Sequence, residues 1–333
     1  MSNQALNLLG NMSAKRFLRD YWQKRPLLIR RAWKDFKSPI DGDDLAGLSL
    51  ENEVESRLVI GPNHVVEYGP FLANRFNHLP NNRWTLLVQA VNLWVPEVHA
   101  MLDEFHFLPR WRIDDVMVSY ACKGGGVGPH FDDYDVFLLQ GKGRRHWQIG
   151  AGECEPNVAL RGHSDLKILA DFRPEQEWIL DEGDMLYLPP RWAHNGVALD
   201  HCITFSVGYR APSLGEMLDD LATEIIARGE PKYLRDPPLT PPEDADEIQL
   251  NYILELKTLL LSVLNDDRLL SNWFAQFMTQ PKYPHLTELT KEKRKAKIKI
   301  PMAFDGKSTE YVTRTYCNAE ILHDREASNW IMS

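Results

Sequence analysis

Between Gly124 and Asp135 the chain reads Gly-Gly-Gly-Val-Gly-Pro-His-Phe-Asp-Asp-Tyr-Asp, with His130 and Asp132 two residues apart. On an extended chain, side chains at i and i+2 leave the same face. The imidazole and the carboxylate therefore point into one space, while Phe131 between them turns away. Together they supply two members of a 2-His-1-carboxylate facial triad, the arrangement that holds Fe(II) on one side and leaves the opposite positions open. A fold that uses this pair must be strand-built here, and must return a second imidazole to the same rim.

The text from Trp111 to Ala211 is that of short strands joined by turns. Asp115–Ala121 alternates as a strand, and Val136–Gln140 meets Arg144–Ile149 across Gly141-Lys-Gly143, which predicts a hairpin. Asp181–Pro190 is a turn and strand closed by two prolines, and Cys202–Tyr209 is a further alternating strand. Many short antiparallel strands predict a double-stranded β-helix, the jelly-roll barrel of cupins. His194, just after Leu188-Pro-Pro, then falls at a barrel rim and is the expected third ligand. His146 is the nearest competitor, and alternation sends it to the opposite face from Arg145, Trp147 and Ile149.

The same alternation singles out Arg145 over Arg144, because only Arg145 shares a face with the large apolar residues Trp147 and Ile149. An interior arginine needs a partner, and its planar fork suits a carboxylate. The two readings are a structural ion pair and an anchor for the distal carboxylate of 2-oxoglutarate, whose other end would chelate the iron. Ser119, on the same strand face as Met117, and Thr204, on the Cys202–Tyr209 strand, are candidate co-substrate donors.

The flanks are less uniform. Residues 13–23 form an amphipathic helix capped by Ser13 and stopped by Pro26, with a strand at Leu27–Arg30. Residues 39–72 read as short strands and turns, and 84–107 as a helix broken at Pro96. Beyond Pro212, Ser213 and Glu216 fit a capping box opening a helix to about Arg228. A proline-rich linker leads to apolar-striped helices over 247–279, then to a basic run at 291–299. Four scattered cysteines without a C-x-x-C pair, and no apolar run of ~18 residues, fit a cytoplasmic protein without membrane segments. The net charge of −9 argues against a general nucleic-acid coat and suits a basic protein partner.

The glycine-rich His-x-Asp element, the Gln-Gly-Lys-Gly-Arg-Arg-His-Trp segment and Gly-Asp-Met-Leu-Tyr-Leu-Pro-Pro-Arg-Trp-Ala-His closely resemble the JmjC-type ribosomal oxygenases. Trp22-Gln-Lys-Arg-Pro and Ser206-Val-Gly-Tyr-Arg-Ala-Pro carry the resemblance outward, so that it covers about 15–280. It implies a mainly β core with helical additions, and Fe(II) held by His130, Asp132 and His194. It also implies 2-oxoglutarate on Arg145 and Ser119, with arginine at that position marking the bacterial branch. The implied organisation is an oxygenase domain over 1–211, a helical homodimerisation region over 212–280, and a winged-helix-like module over 281–333, shortened here. The implied substrate is an arginine of large-subunit ribosomal protein sixteen, hydroxylated at its β-carbon. Asp114, Asp115, Asp133 and Asp135 are candidate groups for meeting that cation, with solvated strand ends as the competing reading. The same chemistry on a histidine or methyl-lysine, and a metal-binding cupin scaffold without turnover, are the alternatives. For the basic run, ribosomal RNA contact and a solvated surface both stay open.

Overall fold

The computed structural model describes residues 5–155, 157–161, 166–229, 231–239 and 246–284, with strand pairing alone given for 295–301 and 309–315. The chain divides into two compact units, the first carried by the chain up to Ala211 and the second starting at Pro212.

The first unit opens with paired two-residue strands, β1 (Ala5–Leu6) and β2 (Met12–Ser13), and helix α1 (Ala14–Asp20). Ser13 caps α1, its hydroxyl accepting from the Arg16 amide at 3.3 Å. Strand β3 (Leu27–Ile29) follows, then helix α2 (Gly42–Leu48). This helix replaces the strand expected there. Asp41 accepts from the Asp43 and Asp44 amides while Asp44 reaches back to the Asp41 amide, and this capping box offsets a run of modest helix formers. Strands β4 (Ser56–Ile60), β5 (Val65–Tyr68) and β6 (Trp84–Val88) come next. The helix expected from residue 84 therefore begins only at α3 (Pro96–Ala100), with Pro96 in its first turn. Thr85–Val88 is buried on both faces between β4 and its other neighbour, so its apolar residues run on without the alternation of a half-exposed strand.

The remaining strands are β7 (Ile113–Ala121), β8 (Val136–Lys142), β9 (Arg145–Glu153), β10 (Gln176–Leu180), β11 (Met185–Leu188), β12 (Trp192–Ala198) and β13 (Cys202–Tyr209). They fall into an eight-stranded sheet, ordered β3-β11-β8-β13-β7-β6-β4-β5, and a three-stranded sheet, β10-β9-β12. The two sheets enclose a core that includes Val136, Leu138, Trp147, Ile149, Leu180, Leu186 and Leu188. The hairpin expected across Gly141-Lys-Gly143 does not form. β8 pairs with β11 and β13, whereas β9 pairs with β10 and β12. The glycine segment is instead the corner where the chain changes sheets. Gly143 sits at φ +62°, and a Cβ there would lie 2.3 Å from the His201 carbonyl oxygen. Strands that follow one another but lie in opposite sheets are the mark of the double-stranded β-helix.

The side of the large sheet opposite this core is aromatic. Phe17 of α1 packs against Phe137 and Tyr187 with ring centroids 5.7 and 5.1 Å apart, and Trp22 stacks on Tyr187 at 5.7 Å. Within this layer Asp135 is fully buried, accepting from Tyr187 Oη at 2.6 Å and Gln23 Nε2 at 3.0 Å, with Arg112 Nη2 3.6 Å away. Burial pushes its carboxyl up, and those donors pull it partly back. Tyr187 Oη in turn accepts from the Gln23 amide at 2.7 Å, so one hydroxyl ties β11 to both the N-terminal segment and Asp135.

The second unit holds α4 (Leu214–Ala227), α5 (Leu250–Leu264), α6 (Asp267–Met278) and the paired strands β14 (Lys295–Pro301) and β15 (Thr309–Thr315). Ser213 and Glu216 form the expected capping box at the start of α4. Helix α6 buries Leu269, Trp273, Phe277 and Met278, whereas α5 has no buried residue at all. Most of the expected winged-helix-like module, and residues 291–294 of the basic run, lie outside the described residues. No helix among the described residues is long and apolar enough to cross a membrane.

Tyr187→Phe keeps the aromatic packing but removes a hydrogen bond to a buried carboxylate and one from a backbone amide. It should lower unfolding stability by about 2 kcal/mol, read from urea denaturation midpoints against the unaltered chain.

Candidate metal centre and co-substrate cavity

The glycine-rich approach to His130 runs against the protein's own backbone. A Cβ on Gly125 would lie 2.2 Å from the Trp84 carbonyl oxygen, and one on Gly126 would lie 2.5 Å from that of Gly196. These glycines therefore serve close packing on β6 and β12. The Gly124 amide donates to Ala198 and the Ala198 amide to Gly125, stitching the loop along β12.

The stitching ends in a reciprocal bridge. The His130 amide donates to the His194 carbonyl at 3.0 Å, and the His194 amide to that of His130 at 2.8 Å. Residues opposed in this way project their side chains to the same face. The two imidazole centroids are 4.3 Å apart. Nδ1–H of His130 donates to the Gly128 carbonyl at 2.9 Å, and that of His194 to the Trp192 carbonyl at 2.8 Å. A carbonyl can only accept, so both rings present Nε2 as the free lone pair, the usual second interaction of a metal-bound histidine. Asp132 lies two residues from His130 on the same face, its Oδ2 3.7 Å from His194 Nε2. One ligand atom from each of the three residues lies within 4.8 Å of the others. Burial first, and the neighbouring His130 second, hold His194 down at about 4, so its ring is neutral and available to a cation at neutral pH.

Register explains the rest of the wall. Along one face of β9 and β12, Arg145 is opposite Ala198, Trp147 opposite Gly196, and Ile149 opposite His194. Arg145 is 5% exposed and faces inward, while His146 faces outward and pairs with Glu177 at 3.0 Å. Arg145 Nη1 approaches Ser119 Oγ at 3.5 Å, and its Nε and Nη2 are buried with no hydrogen-bond partner among the described residues. A cavity of about 330 Å³ is lined by the triad, Arg145, Ser119 and Trp147 together. Thr204 lies opposite Ser119, but its hydroxyl donates to Gln140 Oε1 at 3.2 Å, and it is not among the cavity-lining residues.

Ser206, Gln89, Arg57 and Tyr134 also line the cavity and were not singled out from the sequence. Ser206 was accessible to the same logic that found Ser119, since it lies opposite Met117 on the paired strand. Two of the four acidic candidates are already engaged elsewhere. Asp135 is enclosed in the aromatic layer, and Asp133 pairs with Arg191 at 3.0 Å. Asp115 is 4% exposed and accepts from Gln89 Nε2 at 2.8 Å.

Comparison with known proteins agrees with this geometry. Residues 100–217 match the JmjC domain family. The chain is 38% identical over 270 residues to the ribosomal protein uL16 3-hydroxylase of Escherichia coli strain K12, covering 80% of this chain and 71% of that protein. It is 41% identical over 213 residues to a probable ribosomal oxygenase of Haemophilus influenzae, covering 62% of this chain and 52% of the relative. The crystal structure of E. coli YcfD superposes with a TM-score of 0.76 at 37% identity, over 82% of this chain and 73% of that one. A YcfD ribosomal oxygenase complex with cobalt and 2-oxoglutarate superposes with a TM-score of 0.73, over 82% and 72%. The barrel is thus that of a JmjC domain. The chain belongs to the JmjC-type ribosomal oxygenases.

Gly196 lets the Trp147 indole lie flat against β12, since a Cβ there would come within 2.7 Å of the ring. Gly196→Ala should displace the indole at a cost of about 1–3 kcal/mol, seen as a lower melting temperature together with altered tryptophan fluorescence.

Proposed function

We propose that this chain is an Fe(II)- and 2-oxoglutarate-dependent oxygenase that hydroxylates the β-carbon of an arginine in large-subunit ribosomal protein uL16. The observation that carries the reading is one cavity holding both a three-ligand cluster and a buried, unpaired guanidinium. A scaffold that only bound metal would have no use for that guanidinium. An ion-pair role for Arg145 lacks a carboxylate partner among the described residues.

His130, Asp132 and His194 would hold the metal on one side, their rings fixed by the Gly128 and Trp192 carbonyls. Arg145, with the Ser119 hydroxyl beside it, would take the distal carboxylate of 2-oxoglutarate as a charge-assisted pair. Trp147 and Leu138, apolar residues of the cavity lining, would exclude water from the space between anchor and ligands. Bound Fe(II) with 2-oxoglutarate supplies the oxidation: dioxygen is consumed, one oxygen atom enters the substrate C–H bond, and the other leaves in succinate as carbon dioxide is released. The chain's part is to orient the co-substrate and keep the site dry.

Residues 1–211 would form the oxygenase domain, with 281–333 a shortened winged-helix-like module. Residues 212–280 would join two copies as a homodimer. Leu250, Leu254 and Leu261 of α5 are 73%, 54% and 49% exposed, a leucine face that a second copy would cover. A ribosomal-protein substrate argues for a cytoplasmic protein.

Incubated with Fe(II), 2-oxoglutarate and uL16, the protein should form succinate, and an arginine-containing peptide of uL16 should gain one oxygen by mass spectrometry. No turnover would refute the enzyme reading, and oxidation of another residue type would refute only the substrate. His130→Ala should abolish activity, whereas Arg145→Ala should raise the KM for 2-oxoglutarate at least tenfold, and an unchanged KM would place the anchor elsewhere. For the assembly, Leu254→Asp combined with Leu261→Asp should halve the mass measured by light scattering. A wild-type chain that is already monomeric would refute the dimer.

A further inference from the structure

Arg191 is a non-glycine residue at φ +64°, directly after Pro189-Pro190 and three residues before His194. An L-residue with a long side chain pays in backbone conformation for that geometry, and glycine or asparagine would fit it better. What the arginine side chain provides is a set of contacts to the opposite limb of the metal site. Its Nε and Nη2 donate to the Cys154 carbonyl at 2.9 and 2.6 Å, fixing the guanidinium plane. Nη1 donates to Asp133 Oδ1 at 3.0 Å, and the guanidinium carbon lies over the Phe131 ring at 4.9 Å. The backbone adds two more ties: the Arg191 amide donates to the Asp132 carbonyl at 2.6 Å, and the Cys154 amide to the Arg191 carbonyl at 2.8 Å.

Asp132 is thus flanked on both sides by residues that Arg191 grips, Phe131 by its ring and Asp133 by its carboxylate. The bridge between His130 and His194 fixes the two imidazoles but does not reach the carboxylate ligand. The Asp132 carboxylate meets the Tyr134 hydroxyl, and its backbone is held through its neighbours and its own carbonyl. We propose that Arg191 is a positioning residue for the carboxylate ligand, clamping residues 131–133 onto β12 so that Asp132 completes the three-ligand cluster. The strained φ is retained because the side chain has to start from that point to span Cys154, Asp133 and Phe131 at once. This rests on the reading of His130, Asp132 and His194 as a metal site.

Arg191→Gly separates the two roles, since it relaxes the backbone and keeps the amide while deleting the clamp. Arg191→Asn, which also tolerates this φ, is the second variant. The full-length chain, freed of metal, is titrated with Co(II) by calorimetry well below its melting temperature, and the visible spectrum of the bound Co(II) reports ligand geometry. Both variants should melt within a few degrees of the unaltered chain or above it. They should also bind Co(II) about tenfold to a hundredfold more weakly, with a changed Co(II) spectrum. Equal affinity and an unchanged spectrum in both would overturn the proposal, whatever happens to the melting temperature. His194→Ala serves as the control for the underlying reading. If the unaltered chain binds one Co(II) and this variant binds none, the metal site stands even where the Arg191 proposal falls. If the unaltered chain binds no Co(II), both fall.

Discussion

Two backbone hydrogen bonds between His130 and His194 are the join on which the site depends. They bring residues far apart in the chain into direct opposition, and in an antiparallel pair that is enough to set two side chains on one face. Asp132, two residues on from His130, reaches the same space, with one of its oxygens 3.7 Å from His194 Nε2. Once this bridge exists, β12 is fixed in register, and with it the Ala198, Gly196 and His194 positions that face Arg145, Trp147 and Ile149. The wall that runs from Arg145 to the His130–Asp132–His194 cluster is therefore a consequence of the bridge. A slip of one residue at that bridge would turn every one of these groups outward.

How much of this could be read from the sequence depended on whether the signal was local. The inward face of Arg145 follows from a two-residue period, which needs only the strand to exist. The i, i+2 spacing of His130 and Asp132 brings them together even though only an isolated bridge forms at His130. Ser13 and Ser213 caps are local too, and both form. The errors came where spatial neighbours decide. The apolar residues of Trp84–Val88 mimic a helical spacing because Thr85–Val88 are buried on both faces of the strand, which removes the two-residue alternation. Gly141-Lys-Gly143 has the chemistry of a tight hairpin turn, and the same chemistry serves a corner between sheets. Nothing in the seven or eight flanking residues distinguishes the two, since the difference lies in whether β8 finds β11 and β13 before it finds β9. Helix α2 was missed for a plainer reason: its signal is an Asp41–Asp44 capping box, with few strong helix formers behind it.

The acidic stretch Asp132–Asp135 shows how differently adjacent identical residues can be used. Asp132 joins the ligand cluster, Asp133 meets Arg191, and Asp135 is turned through the sheet into an aromatic layer with Tyr187 and Gln23. Charge alone makes Asp133 and Asp135 equivalent candidates for a cationic substrate. Burial and partners separate them: Asp135 is enclosed with Tyr187 and Gln23, whereas Asp133 stays exposed beside Arg191. The run is better understood as a connector between the barrel's interior and its outer layer.

The buried guanidinium of Arg145 has a consequence for the empty protein. A charge kept from water, with two nitrogens unsatisfied, raises the free energy of the folded state in which it sits. On the proposed function, a dicarboxylate entering the cavity would cancel that charge, and occupancy and folding would become linked equilibria. By mass action, a ligand present at a hundred times its Kd adds about 2.7 kcal/mol to the free energy of unfolding. On that reading the ligand-free form would be the one most exposed to local opening and proteolysis, and dicarboxylate supply would influence how long each molecule survives as well as how fast it can work.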